Sequence, residues 1–409
     1  MKHLIIGNGI AGLNAARAIR ELDGTAEIAM VSDERFPPYS RPMICQVLDG
    51  SQPHAKLPLY SKDIYQTLQV TPILGARAVA LDVDARTVRL ADGRQLDYDR
   101  LLIASGADAR RLKAPGSELD NIFYMRTESD VRRQLAAIDS ARQALVLGGG
   151  LVGFKAAYGL LRQGLKVTML ITSGYPLAMQ VDAAAGRIIQ DELEANGLTV
   201  QVGVSAAGFE GNGRVTQAVL DNGARLACDL VVIGKGVRPS LAFVPRERVT
   251  VDLGIVVDDY LQSSVPGIYA AGDTAEAVDI ARQKRWINAI WPEAAVQGRV
   301  AGQNMAGRRV RYPGSLSRNV MRVYDLDVMT LGDANPEPGE GVRTVQTGGK
   351  DQGYFRRLVF CGDILVGAVL INRIEQGGVL RALIENRVPI RVPDGVLMAT
   401  GFNFSKLLH

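Results

Sequence analysis

Two glycine-rich fingerprints, Gly7-Asn8-Gly9-Ile10-Ala11-Gly12 and Gly148-Gly149-Gly150-Leu151-Val152-Gly153, stand about 140 residues apart in a chain of 409. Each comes directly after an apolar run, Leu4-Ile5-Ile6 in the first case and Ala144-Leu145-Val146-Leu147 in the second. Each reads as a buried strand, a tight turn and a helix whose free N–H groups can hold a pyrophosphate. A single motif of this kind is weak evidence. Two in correct strand contexts imply two dinucleotides on one chain, and therefore electrons passing between them.

The chain beyond each fingerprint repeats one plan. Residues 13–22 continue as a helix, Glu27-Ile28-Ala29-Met30-Val31 forms a second strand, and Ser32-Asp33-Glu34 ends it. Glu34 lies 22 residues past Gly12, near where an acid binds a ribose diol, with Asp33 as the substitute. Residues 79–96, with the turn Asp92-Gly93, read as a β-meander. Residues 101–106 read as a buried strand with a glycine stop. A basic, proline-containing linker at 110–116 leads to the second unit. There the strand is 166–171, the meander turns at Asp221-Asn222-Gly223, and the unit closes on Leu230-Val231-Val232-Ile233-Gly234. The segment 267–273 finds no strand partner in that unit and returns the chain to the first. From about Tyr312, alternating segments at 358–360 and 364–370 predict an antiparallel sheet, then a helix through 380–385, with 333–341 as a loop. The expected class is α/β: two Rossmann-like three-layer dinucleotide-binding domains plus a C-terminal α+β domain. The first domain is discontinuous (1–108 and 243–311), the second is inserted at 109–242, and the C-terminal interface domain spans 312–409.

Composition narrows the chemistry. A net charge of +4 is small for this length and gives no reason to expect nucleic acid. Cys45, Cys228 and Cys361 are widely spaced, with no CxxC, which argues against a disulfide framework, a thiolate zinc site or an iron–sulfur cluster within the chain. With only His3, His54 and His409, a histidine triad or metal site is not expected. No apolar run approaches the roughly 20 residues of a membrane helix. The first strand leaves no room ahead of it for a targeting peptide. The expectation is a soluble cytoplasmic protein, without metal.

Five segments in order, at 7–12, 101–106, 148–153, Gly234-Lys235-Gly236-Val237-Arg238-Pro239 and 266–273, make the chain resemble the FAD-dependent pyridine nucleotide–disulfide oxidoreductases over nearly its whole length. It looks like the branch without a redox disulfide, the ferredoxin, rubredoxin and nitrite reductase flavoproteins. Tyr39-Ser40-Arg41-Pro42-Met43 and the segments 355–359 and 366–369 are similar to that branch. Within it, Gly150-Leu151-Val152-Gly153-Phe154-Lys155 and Gly401-Phe402-Asn403-Phe404 resemble the NADH-binding flavoprotein subunits of phenylglyoxylate-type 2-oxoacid dehydrogenases.

The resemblance implies that Gly7, Gly9, Ala11 and Gly12 admit the FAD pyrophosphate and that Glu34 accepts the adenosine ribose. By the same pattern Arg41, Val79, Ala104, Ser105, Gly106 and Arg126 contact FAD. Asp273 ends an apolar strand, where an unpaired carboxylate is expensive; a ribityl hydroxyl is a suitable donor, and the helix start beyond it favours negative charge. The segment Trp291-Pro292-Glu293-Ala294-Ala295-Val296 starts a helix at its proline. In the family that helix points at the flavin pyrimidine edge, which brings Ala295 and Val296 to the cofactor, and its dipole favours reduced flavin. For NAD(H) the implied set is Gly148, Gly150, Leu151, Val152, Gly153, Thr172 and Gly236.

Three departures bear on chemistry. The second ribose position reads Ile171-Thr172-Ser173, with no carboxylate before Asp182 and no arginine pair for a 2′-phosphate. The reading favours NAD(H), because an absent arginine costs NADPH more than an absent acid costs NADH. Relatives carry Ser-Lys and a glutamate where this chain has Cys45-Gln46 and Lys155, so a cation has moved to the opposite side. Lys155, as a candidate catalytic group, would favour hydride arrival; the alternative is a solvated helix lysine. Cys45 is either a packing residue or a redox thiol of the kind found in NADH oxidases and coenzyme A-disulfide reductases.

The expected function is an oxidoreductase passing hydride between NAD(H) and FAD, and single electrons between FAD and an iron–sulfur protein or subunit, in a hetero-oligomeric 2-oxoacid dehydrogenase. Alternatives are a stand-alone NAD(P)H:rubredoxin or ferredoxin reductase, a Cys45-dependent oxidase or disulfide reductase, and a non-catalytic FAD/NADH redox sensor.

Overall fold

The computed structural model describes every residue except 62, 338, 340 and 409, so the last of the three histidines and part of the 333–341 loop lie outside the described residues. The apolar run before each fingerprint becomes the central strand of a five-stranded parallel sheet. In the first sheet the strand order is Ile268–Ala270, Arg100–Ile103, Lys2–Ile6, Glu27–Ser32, Val70–Leu74. In the second it is Thr199–Val202, Lys166–Ile171, Gln143–Leu147, Leu230–Ile233, Ile122–Tyr124. The inner strands read as near-continuous apolar runs because both faces are covered, as parallel sheets require, while the edge strands Val70–Leu74 and Thr199–Val202 are partly exposed. Leu101, Leu102, Ile103, Leu145, Val146 and Leu147 are all fully buried, each side chain contributing about 1.5–3 kcal/mol of transfer free energy.

In both sheets the fingerprint strand sits where the strand order reverses, the place at which open α/β sheets leave a crevice beyond the carboxyl ends. As the sequence implies, Ile268–Ala270 pairs with Leu101–Ile103 in the first sheet and not with the second unit. The two meanders also form, as Ala78–Asp82, Thr87–Leu90, Gln95–Asp97 and as Ala206–Glu210, Gln217–Leu220, Arg225–Ala227. A short antiparallel ribbon, Ala107–Ala109 with Val237–Pro239, carries the chain between the two units. Ser105 Oγ donates to the Ser240 carbonyl at 2.7 Å beside it.

The helix Trp291–Met305 packs along the fingerprint helix Ile10–Leu22 at very close range. A β-carbon on Gly298 would lie 2.1 Å from the Ala11 carbonyl oxygen, and one on Gly302 2.4 Å from that of Ala15. Small residues on both faces let the backbones touch, and filling that seam would cost about 1–3 kcal/mol per added group. Both helix N-termini are thereby held at the same end of the first sheet.

The C-terminal sheet is antiparallel, ordered Arg318–Val323, Leu326–Gly332, Ile364–Ile371, Tyr354–Cys361, Val342–Gly349. The helix Gly377–Glu385 covers it, starting three residues before the expected 380. Arg318 of this sheet donates to Glu293 at 2.7 Å, and Arg357 pairs with Asp182 at 2.8 Å, so the sheet is tied to both other units. No helix among the described residues is long and apolar enough to cross a membrane.

Candidate dinucleotide sites

The first fingerprint opens onto a cavity of about 520 Å³. Its geometry fits a bound pyrophosphate for a specific reason. A β-carbon on Gly12 would stand 2.0 Å from the Gly7 oxygen, whereas one on Gly9 would meet nothing within 4 Å. Gly12 closes the turn, and Gly9 leaves open space at the helix start. No side chain caps that helix among the described residues, which leaves its first N–H groups available to an anion.

Gly7, Gly9, Ala11, Glu34, Arg41, Ala104, Ser105, Gly106, Arg126 and Asp273 all line this cavity. The polar wall is one connected network. Arg41 donates to Glu34 at 2.6 Å and to the Arg126 carbonyl at 2.7 Å. Tyr39 donates its hydroxyl proton to Glu34 at 2.8 Å and accepts from the Glu128 N–H at 3.1 Å. Arg126 donates from Nε to the Ala107 carbonyl at 2.8 Å and from Nη2 to Asp273 at 2.6 Å. Burial alone would lower the Arg41 pKa, but Tyr39, Glu34 and Asp273 outweigh it and hold it above the ordinary arginine value. Burial pushes the Tyr39 pKa up, so the phenol stays a donor. Asp33, the substitute acid, is taken up by Arg77 at 2.9 Å.

Several expectations shift. Asp273 is not an unpaired carboxylate, because Arg126 already neutralises it; a cofactor hydroxyl would share that pair. Val79 is exposed and lies outside the lining, and Ala78 takes its place, since alternate strand residues face opposite ways. On the second helix Trp291, Pro292 and Ala294 line the cavity rather than Ala295 or Val296, and Val296 is exposed. Gly12 shapes the turn from behind without lining it. Proline does begin that helix, and its N-terminus carries no side-chain cap among the described residues. Glu293 in its first turn is committed to Tyr312 and Arg318, both at 2.7 Å. Arg318, which no sequence motif singles out, lines the cavity from the C-terminal sheet. Only its partner could have flagged it, and the two lie 25 residues apart.

The second fingerprint repeats the logic of the first. A β-carbon on Gly153 would lie 1.8 Å from the Gly148 oxygen, and one on Gly150 meets nothing within 4 Å. Thr172 is exposed at the strand end, and Gly236 is exposed in the loop after Leu230–Ile233. Asp182, the first carboxylate after the strand, caps the helix Ala183–Ala195 through the Ala185 N–H at 3.2 Å and pairs with Arg357. The ribose position therefore has no acid of its own. Leu151, Val152 and Lys155, on the helix after Gly150, line the large first cavity instead. The two cradles thus adjoin at that helix.

Cys45 and Gln46 lie outside the cavity lining, and Gln46 is exposed. The Cys45 thiol donates to the Pro42 carbonyl at 2.9 Å. Burial raises its pKa, with Lys155 opposing and Asp49 adding to the rise. A low-pKa redox thiol needs the reverse.

Residues 1–298 match the family described as pyridine nucleotide-disulphide oxidoreductase, and 318–388 match the rubredoxin NAD+ reductase C-terminal domain. The chain belongs to the pyridine nucleotide-disulphide oxidoreductases. It is 31% identical, over 95% of its own length and 92% of the relative's, to the NADH-dependent phenylglyoxylate dehydrogenase subunit epsilon of Aromatoleum evansii. It is 30% identical to the nitrite reductase [NAD(P)H] of Bacillus subtilis over 95% of its length, but spans only 47% of that protein. Among solved structures it is similar to putidaredoxin reductase in its covalent complex with putidaredoxin, with a TM-score of 0.90 and 25% identity over 100% of this chain and 98% of that one. As a member of this oxidoreductase family, related to rubredoxin and ferredoxin reductases, the chain is an NAD(H)-dependent flavoprotein whose cofactor is FAD.

Proposed function

We propose that this chain passes hydride between NAD(H) and FAD, and single electrons between FAD and an iron–sulfur partner, as the flavoprotein subunit of a phenylglyoxylate-type 2-oxoacid dehydrogenase. The observation that carries the electron-transfer reading is the position of the helix Leu151–Arg162. Its N-terminus faces the second cradle, while Leu151, Val152 and Lys155 form a wall of the first cavity. End-to-end similarity to the Aromatoleum subunit supports the complex.

Bound FAD supplies the exchange between two-electron and one-electron chemistry. The chain's residues supply position and field. Uncapped helix N-termini after Gly9 and Gly150 would hold the two pyrophosphates, and Asp273 with Arg126 would offer FAD an acceptor and a donor. The N-terminus of Trp291–Met305 brings a partial positive charge to the cavity, and Lys155 brings a full one. No histidine among the described residues lines the cavity, in keeping with chemistry that needs no general base from the protein. The proposed division keeps 1–108 and 243–311 as the FAD domain, 109–242 as the NAD domain and 312–409 as the interface domain. The ribbon at 107–109 and 237–239 lies beside both crossings.

A stand-alone rubredoxin or ferredoxin reductase uses the same residues and differs only in its partner. The thiol-dependent oxidase reading is disfavoured by the raised Cys45 pKa and its hydrogen bond to Pro42. Anaerobic reduction by NADH, then mixing with ferredoxin, rubredoxin, peroxide or disulfide, tests the proposal. Fast transfer to an iron–sulfur protein supports it; transfer to disulfide or peroxide alone overturns it, and an NADH-reduced flavin that passes electrons to nothing points to the sensor. Co-purification with a thiamine-diphosphate subunit decides between complex and stand-alone enzyme.

A further inference from the structure

The loop at 171–175 contains no cation for a nucleotide 2′-phosphate, yet one reaches the neighbouring loop at 203–205 from a different strand. Lys235 comes after the strand Leu230–Ile233, which lies beside the fingerprint strand on the side away from Lys166–Ile171. Its loop sits directly on the fingerprint turn: a β-carbon on Gly148 would lie 2.5 Å from the Gly234 oxygen. From there the lysine side chain crosses the crevice, and Nζ donates to Ser205 Oγ. Ser205 belongs to the loop beyond Thr199–Val202, which is anchored to the end of Lys166–Ile171 by the Gly203 N–H donating to the Ile171 carbonyl at 2.7 Å. That strand end is where a dinucleotide fold places the adenosine ribose. The ammonium thus stands on the adenosine side, beside Ser205 in the loop tied to the end of the strand Lys166–Ile171.

Resting on the reading that the second cradle holds a nicotinamide dinucleotide, we propose that Lys235 is a specificity residue that binds an adenosine 2′-phosphate, so that the chain accepts NADPH alongside NADH. The site offers an anion one cation, and the Ser205 hydroxyl as a further donor once the ammonium turns from it to the phosphate. The loop at 171–175, where a free ribose diol would find its acid, holds no carboxylate. Partial burial lowers the Lys235 pKa, while Asp221 favours the charged form. Asp221 accepts the Ser205 N–H at 3.1 Å, which anchors its carboxylate on the same loop. A half-desolvated ammonium held by a neutral hydroxyl gains most from a phosphate, since a charge-assisted bond is worth about twice a neutral one.

The test measures adenosine 2′,5′-bisphosphate and 5′-AMP binding to the FAD-loaded protein by titration calorimetry. Wild type should favour the bisphosphate by about tenfold or more, the worth of one charged hydrogen bond. Lys235→Met should bring the ratio to near one, and Lys235→Arg should keep it, with the flavin spectrum reporting that each variant is folded. Equal affinities in wild type, or a preference that survives in Lys235→Met, overturn the assignment. NADPH should also reduce the flavin anaerobically in wild type. If NADH reduces the flavin but no 2′-phosphate preference exists, only the role of Lys235 falls. If neither nucleotide reduces it, the reading of the second cradle falls with it.

Discussion

Arg126 and Asp273, 147 positions apart in sequence, meet at 2.6 Å in the wall of the first cavity. The arginine stays tethered to the Ala107 carbonyl by a second nitrogen, so the pair is fixed from one side. Asp273→Ala should therefore lose a cofactor contact and also leave a largely buried guanidinium unpaired. FAD retention, read by absorbance after gel filtration, should fall by about tenfold or more. Asp273→Asn should fall less. Arg126→Ala combined with Asp273→Ala should cost less than the sum of the two single changes, because residues in one pair are not additive.

Gly150→Val should abolish nicotinamide binding and leave FAD in place. The backbone at Gly150 is extended, with φ −80° and ψ −179°, a conformation valine adopts readily. Its β-carbon would meet nothing of the protein within 4 Å, so the side chain fills only the cradle. NADH titration and flavin content check this together. Loss of FAD with retained NADH binding would exchange the assignments of the two units.

Lys155 lines the cavity from the helix that also serves the second cradle. One charge at close range is worth about 1–4 kcal/mol between the water and protein-surface limits. Lys155→Met should slow NADH-driven flavin reduction in stopped flow at unchanged FAD content, and Lys155→Glu should slow it further. Wild-type rates in both would make Lys155 a solvated residue.

Cys45→Ser should keep NADH:acceptor activity within about tenfold, or 1.4 kcal/mol of barrier. Serine keeps the hydrogen bond to Pro42, so a larger loss would point to thiol chemistry.

His3 is buried in the first strand, and its Nδ1 has no partner among the described residues. Burial, with help from the terminal amine, pushes its pKa from 6.5 down to about 4. Between those values the unfolded chain binds the proton and the folded one does not, so stability falls as pH drops through that window and levels off below it. Melting temperature against pH should show this slope, and His3→Leu should flatten it.

The parts legible in sequence were those with a local signature. Strand, turn and helix succeed one another within each fingerprint, and the proline start of the 291–305 helix is written in consecutive residues. The placement of Val79 rests on the family resemblance; the short strand Ala78–Asp82 shows no clean alternation from which to read which side faces the cavity. The contacts of Arg318 and Lys235 were not legible for another reason. Each side chain bonds a residue on a separate element, and only folding brings Glu293 and Ser205 within reach. Asp273 was found, but its partner Arg126 was assigned to the cofactor independently, because nothing in the order of residues joins them.

The glycine–alanine seam between the 10–22 and 291–305 helices makes those two helices a single rigid gauge. Both uncapped N-termini open on the same cavity, and backbone contact along the seam fixes the distance between them. On the proposed reading, one would meet the FAD pyrophosphate and the other the flavin edge, at a spacing that no side-chain change elsewhere alters. Evolution can change the partner surface, the nucleotide preference and the nearby charges while that span stays constant.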